Sequence, residues 1–237
     1  YPLSEPNENI FAYLWARTVA CPVTGKPVPL SPNWWLRKGS DPIAVKVIAD
    51  AKEDRCRFEI VKGKSACEKA KPDQGTIRMG TGRSPWTGDP IGKDYIKSEA
   101  QAGRMGAQLY AVGVKRAGSF PFRQVTENDE AAYEAAVREF TTLKPRFERD
   151  EILPKLLIPY GHRSHERDVI VQYGITEWTD MFSPRQLLFH CTSAEVLAEI
   201  RRVVAGELSP ELAAAVMTYL GLATDKCVDY NSRLMRW

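Results

Sequence analysis

At 237 residues the chain is long enough for one large domain or two small ones, and its 43% hydrophobic and 27% charged content is that of an ordinary globular protein. No apolar run approaches the roughly 20 residues of a membrane span, and the opening "YPLSEPNENI" is polar and Pro-interrupted rather than a signal sequence. The formal charge of +3 hides a division: Asn33 to Arg123 holds 18 Lys and Arg against 10 Asp and Glu, while the rest holds 15 against 20.

A basic half beside an acidic half points to nucleic acid or another polyanion, with a solvated lysine-rich surface as the equal alternative. Five cysteines, an odd number without regular spacing, argue for a reducing cytoplasm rather than a secreted disulfide framework. The absence of an initiator Met and the loop-like start lead us to expect part of a longer protein.

In chain order, "PIAVKVIAD" (Pro42 to Asp50), "CRFEIVKG" (Cys56 to Gly63), "GTIRMG" (Gly75 to Gly80) and "AQLYAVGVKR" (Ala107 to Arg116) read as strands and hairpins. Glu99 to Met105 reads as a helical turn. The period then changes. "ENDEAAYEAAVREFTTL" predicts a helix with an acidic first turn and Tyr133, Val137 and Phe140 on one face. "IVQYGITEW" predicts a strand. Ser183 with Pro184 opens a helix that closes on Gly206, and Ser209 with Pro210 opens another that runs to Asn231. These two should pack as an antiparallel pair with their Leu, Val and Ile stripe as core. The expected fold is α+β: a small antiparallel β-rich part over residues 1–116, then a mainly helical part over 117–237.

Two stretches share one pattern. "CPVTGKPVP" from Cys21 and "SPWTGDPIG" from Ser84 both read small residue, Pro, x, Thr, Gly, x, Pro, then Val or Ile, 63 positions apart. A zinc knuckle is such a turn with two thiolates spaced to converge on a tetrahedral ion. Here the four ligand positions are Cys21, Thr24, Ser84 and Thr87, and hydroxyls are poor zinc ligands at neutral pH. The repeat therefore predicts a degenerate, metal-free ribbon held by packing and hydrogen bonds, with Cys21 a free thiol.

Other motifs carry less. "GKS" at Gly63 to Ser65 lacks the first glycine of a phosphate loop, since Phe58 stands there, and Pro72 follows too soon for the required helix; a lysine-rich loop is expected. His162 and His165 have metal-like spacing without further ligands nearby, and Cys56 and Cys67 are too far apart for a knuckle. His190 and Cys191 are adjacent in a helix and so diverge. Asp225 and Asp229 read as a solvated face.

The residues best suited to a polyanion are basic and aromatic: Trp34, Arg37, Lys38, Arg78, Arg83, Trp86, Lys93, Lys97 and Arg104. Cations neutralise phosphates and aromatic faces stack on bases. Trp35 is read as packing under its hairpin; Trp34 and Trp86 stay open between packing and stacking.

The segments "AYLWARTVACP" (Ala12 to Pro22), "PLSPNWWLRK" (Pro29 to Lys38), "DYIKSEAQAGRMGAQLYAV" (Asp94 to Val112), "YGITEWTDMFSPRQLL" (Tyr173 to Leu188) and "YLGLATDKCVDYNSRLMRW" (Tyr219 to Trp237) span nearly the whole chain. In this order the chain resembles the adenine-specific DNA methylases that carry a zinc ribbon inserted in the methylase region. The family pattern has Cys where this chain has Thr24, Ser84 and Thr87. The resemblance implies S-adenosylmethionine as cofactor of the parent protein and DNA as its partner. Such methylases hold the cofactor with a Gly-rich turn upstream and the adenine with an Asp/Asn-Pro-Pro-Tyr motif downstream. Neither is present, and "GTGRSP" (Gly80 to Pro85) runs into a knuckle rather than a nucleotide turn. The expected function is that of an intervening segment, not catalytic alone, which binds or positions DNA. The alternative is a structural or interaction module that braces the methylase core or docks a partner subunit.

Overall fold

A computed structural model describes residues 9–115, 121–159 and 170–233. The chain divides into two compact units, Pro2–Glu130 with Val169–Gly174, and Ala131–Asp168 with Ile175–Trp237. The architecture is α+β with antiparallel sheets. In chain order the elements are β1 (Ile10–Ala20), β2 (Pro27–Leu30), β3 (Trp35–Arg37), β4 (Ile43–Ile48), β5 (Arg57–Lys62), α1 (Lys64–Ala70), β6 (Ile77–Arg78), β7 (Thr81–Arg83), β8 (Pro90–Ile91), α2 (Lys93–Gln101), β9 (Gly106–Val114), β10 (Phe122–Arg123), α3 (Glu127–Arg149), α4 (Pro184–Glu207) and α5 (Pro210–Tyr230). Among the described residues no helix is long and apolar enough to cross a membrane.

In the first unit the described strands form three sheets, ordered β10-β9-β1-β2, β3-β4-β5 and β6-β7-β8. β1 organises them. Its register against β9 shifts twice: an extra residue lies on β1 between Ile10 and Ala12, and one lies on β9 between Leu109 and Ala111, so each strand is bulged once. Leu14 and Ala16 join Trp34, Leu36, Ile43, Val45, Ala111 and Phe122 in one core. Val19 joins Cys21, Val28, Ile91 and Ile96 in a second. Tyr13 and Trp15 face the third, with Leu109, Val112 and Val114. β10 pairs with β9, which carries the sheet unit past residue 116 to Glu130.

The strands expected at Pro42, Cys56, Gly75 and Ala107 appear as β4, β5, β6 and β9. Four local expectations need correction. The turn read at Glu99 to Met105 is the end of α2, which starts at Lys93 and packs Ile96 into the second core. "KSACEKA" is not a loop but the seven-residue α1; Lys71 takes a left-handed conformation that ends it before Pro72. "IVQYGITEW" is not a strand: Ile170–Tyr173 and Trp178–Met181 are 3-10 turns, the second capped by reciprocal bonds between Glu177 and Asp180.

The fourth correction lies in the second unit. Its core is Phe140, Phe147, Leu153 and Cys191, with Leu187 and Leu188 packed on it. α4 and α5 start on Ser183 and Ser209, as their caps dictate; each side-chain oxygen accepts the backbone N–H three residues on. His190 Nε2 lies 3.1 Å from the Asn231 carbonyl, and Arg233 N–H donates to the Met181 carbonyl at 2.8 Å. The end of α5 thus returns to the start of α4, and the pair is antiparallel. Leu197, Ile200, Val204, Val216, Met217 and Leu220 are half-buried. Val196, Val203, Leu212, Tyr219 and Leu222 are exposed, so the expected core stripe is only partly sealed.

Candidate nucleic-acid interface

The two repeated turns match hydrogen bond for hydrogen bond. Cys21 N–H donates to the Lys26 carbonyl at 2.8 Å, and Gly25 N–H donates to the Cys21 carbonyl at 2.8 Å. In the second copy Ser84 N–H donates to the Asp89 carbonyl at 2.9 Å, and Gly88 N–H to the Ser84 carbonyl at 2.8 Å. Thr24 Oγ1 accepts from Lys26 N–H and Thr87 Oγ1 from Asp89 N–H, both at 3.3 Å. Gly25 and Gly88 have φ of +71° and +81°, a conformation that penalises any Cβ. The turns lie side by side: Cys21 Sγ is 3.3 Å from Ser84 Oγ, with both residues buried. Trp86 Nε1 donates to the Pro27 carbonyl at 3.0 Å, and Lys26 Nζ sits 5.0 Å from the Trp86 ring centre. One indole therefore ties the second turn to the first, and Trp86 is part of the knuckle core.

Burial alone would raise the Cys21 thiol. The Ser84 and Thr24 hydroxyls and the Thr24 and Val23 N–H groups outweigh it and draw the pKa down to about 7. The other buried thiols behave oppositely: burial pushes Cys56 up to about 12 and Cys191 up to about 11, and raises Cys67. The donor set at the knuckles does not fit zinc. It offers one thiol and three hydroxyls, and the Ser84, Thr24 and Thr87 oxygens already accept backbone N–H groups. Among the described residues no group of three or more His, Cys, Asp or Glu is placed to hold a metal ion.

The remaining motifs separate. His162 and His165 lie outside the described residues. Cys67 Sγ faces the Pro42 and Val61 carbonyls. Cys191 is in the core of the second unit, whereas the His190 ring stands edge-on to Phe182 and Phe189. Asp225 and Asp229 are exposed, and Asp229 pairs with Lys226 at 3.1 Å.

The nine basic and aromatic candidates fall into two groups. Trp34 is withdrawn by the structure: only 4% exposed, it packs with its ring centre 5.6 Å from Phe58 and 5.5 Å from Tyr110. Trp35, read from the sequence as packing under its hairpin, takes the outer position instead. Its Nε1 donates to Asp73 at 2.8 Å, and Lys38 lies 5.5 Å from its ring, at an open cleft of about 360 Å³. Strand alternation sets which Trp turns inward: Trp34 shares the buried face with Leu36, and Trp35 the outer face with Arg37. Arg37 is clamped on Asp41, Lys38 pairs with Asp73 at 3.6 Å, and Arg104 forks onto Glu99 at 2.6 and 3.0 Å. Arg104 holds the Glu99 carboxyl below the usual carboxylate range.

Arg78, Arg83, Lys93 and Lys97 form the other group. Among the described residues no ion pair engages them. Arg78 faces Thr81 across the β6–β7 hairpin, while Ile77 and Gly82 form the inner pair. A Cβ on Gly82 would meet Ile91, Ile96 and Leu30 at 3.3–3.5 Å, which fixes the hairpin on the knuckle core. Arg78, Thr81 and Arg83 are thus exposed on the outer face, and Lys93 and Lys97 lie on α2, which packs on β7. The sequence reading missed Met79 at the hairpin tip, 93% exposed; the signal was Met-Gly in a two-residue turn between arginines.

No protein-family model, curated protein or solved structure matches this chain.

Proposed function

We propose that this chain is the inserted segment of an adenine-specific DNA methyltransferase, where it binds or positions the DNA and does no catalysis by itself. The observation that carries the reading is the set of Arg78, Arg83, Lys93 and Lys97, which have no ion-pair partner among the described residues and project from one hairpin and one adjoining helix. Unpaired cations on a rigid support attract phosphates more effectively than cations already neutralised by carboxylates. S-adenosylmethionine and the target adenine would be held by the remainder of the methylase chain. Five unpaired cysteines support a reducing, cytoplasmic setting.

The test is fluorescence anisotropy of a labelled duplex of about 25 base pairs, titrated with the fragment at several salt concentrations. Affinity should fall log-linearly with salt. No affinity at low salt removes this reading.

A second reading, an interaction module that braces the methylase core, draws on a different observation. α5 presents a second apolar face at helical spacing, Leu212, Tyr219 and Leu222, all exposed. Tyr219→Glu with Leu222→Glu should then abolish docking on the flanking methylase chain supplied in trans and leave DNA affinity unchanged.

A further inference from the structure

The β6–β7 hairpin turns on Met79 and Gly80, both with positive φ, +50° and +85°. A two-residue turn of this kind strongly favours Asn-Gly or Asp-Gly, because an L side chain at positive φ is penalised unless it is short and polar. The chain instead places a long, unbranched apolar residue there. Met79 gains no burial in exchange: at 93% it is the most exposed large hydrophobic residue among those described. A local rule broken without a packing gain marks a functional position more often than a structural one.

The surroundings name the ligand. Arg78 is the adjacent residue, and Arg83 lies on the same outer face. The Lys93 side-chain carbons lie against Gly80, where a Cβ would meet them at 3.0–3.3 Å. An apolar tip beside cations that no ion pair engages among the described residues suits a double-stranded nucleic acid: the cations take the phosphates on either side of a groove, and the tip meets the stacked bases between them. The support is stiff, because Ile77 and Gly82 fix the hairpin on the knuckle core.

We propose that Met79 is an apolar wedge that enters between adjacent base pairs of duplex DNA and partly unstacks them, with Arg78, Arg83 and Lys93 on the flanking phosphates. This rests on the DNA-binding reading above and adds to it a mode of engagement: the fragment deforms the duplex. The cost of unstacking a step is offset by the phosphate contacts the bend brings within reach. Inside the parent methylase such a distortion would lower the cost of extruding an adenine.

The experiment pairs a binding measurement with a deformation measurement. Closed circular plasmid is relaxed by topoisomerase in the presence of the fragment, and the change in linking number is read per bound protein; anisotropy reports affinity on the same DNA sequence. The wild-type chain should change the linking number. Met79→Asn, which keeps or improves the turn, should abolish that change while affinity shifts by less than about tenfold and the salt slope is retained. Met79→Leu should restore the change. If the wild-type chain binds DNA and leaves the linking number unaltered, or if Met79→Asn unwinds as well as wild type, the wedge is overturned and DNA binding stands. If the wild-type chain does not bind DNA at low salt, both fall.

Discussion

Cys21 Sγ and Ser84 Oγ, 63 residues apart, meet at 3.3 Å inside the knuckle core. The contact joins the two hairpins beside the Trp86–Pro27 hydrogen bond, so its removal should cost stability. Cys21→Ala and Ser84→Ala should each destabilise by about 1–2 kcal/mol in urea unfolding, the first through weaker packing and the second through an orphaned Trp86 N–H. The double variant should cost less than the sum, with coupling of at least ~0.5 kcal/mol.

The same thiol predicts a pH dependence. Its folded pKa of about 7 is below the ordinary value of 9.0, so the unfolded chain holds the proton more tightly between those limits. The contribution is fully present above about pH 9 and is lost as pH falls through 7. Urea midpoints measured from about pH 6.5 to about 8.5 should therefore rise with pH, and Cys21→Ser should remove that part of the rise; nearer pH 9 the raised Cys56, Cys67 and Cys191 thiols act in the opposite sense. Exposed Cys227 should react with a thiol reagent before buried Cys21 does.

Metal removal gives a third prediction. Chelator should leave the thermal midpoint of the wild-type chain unchanged, because three of the four knuckle positions are hydroxyls. Thr24→Cys, Ser84→Cys and Thr87→Cys together should bind one zinc per chain and raise the midpoint in a chelator-sensitive way, since both turns already have matching hydrogen bonds. Atomic absorption and thermal scans decide it. Failure to take up zinc would mean that the four positions do not converge.

The fourth prediction separates the two groups of cations. Reversing Arg78, Arg83, Lys93 and Lys97 together should weaken DNA binding strongly and reduce the salt slope by roughly 0.9 for each phosphate left without its cation. Any one reversal should act modestly. Arg37→Glu should change affinity less, because Asp41 already neutralises that guanidinium. Exposed Glu199 serves as a control, whereas Glu195 does not, since it pairs with Arg146 at 2.8 Å.

A fifth concerns the entry to α3. Asp129 is fully buried; it accepts from Arg123 at 2.6 and 3.0 Å and from Thr126 N–H at 2.8 Å. Asp129→Ala should cost about 3 kcal/mol in urea unfolding, because it takes the carboxylate away from the guanidinium and leaves the Thr126 N–H without its acceptor. A cost under about 1 kcal/mol would show that solvent substitutes for the carboxylate.

The sequence made some of this legible and hid the rest for identifiable reasons. Gly25 and Gly88 expose the paired turns because few residues tolerate their φ, and Ser183 and Ser209 announce their helices through cap chemistry. β1 is hidden because "IFAYLWARTVA" faces cores on both sides and so lacks alternation. α2 begins on Gly92 without a side-chain cap. Trp34 and Trp35 are neighbours of the same type, so only the face that Leu36 occupies decides that Trp34 turns inward. The four cations are all visible as residues; that no ion pair engages them among the described residues is not, because it depends on which chain segments fold together.

The pairings of β1 with β2 and β9 also set an order of assembly. Ala20 pairs with Pro27 across the first knuckle, a closure of a few residues, whereas Ile10 pairs with Val114 across most of the unit. Loop-closure entropy makes the first event fast and the second slow. The first knuckle therefore exists as a local hairpin while its twin is still distant, and it becomes a template on which the later chain docks. Until Ser84 and Trp86 arrive, Cys21 stands open to solvent. The interval before the second knuckle docks is then one in which that thiol is open to oxidation.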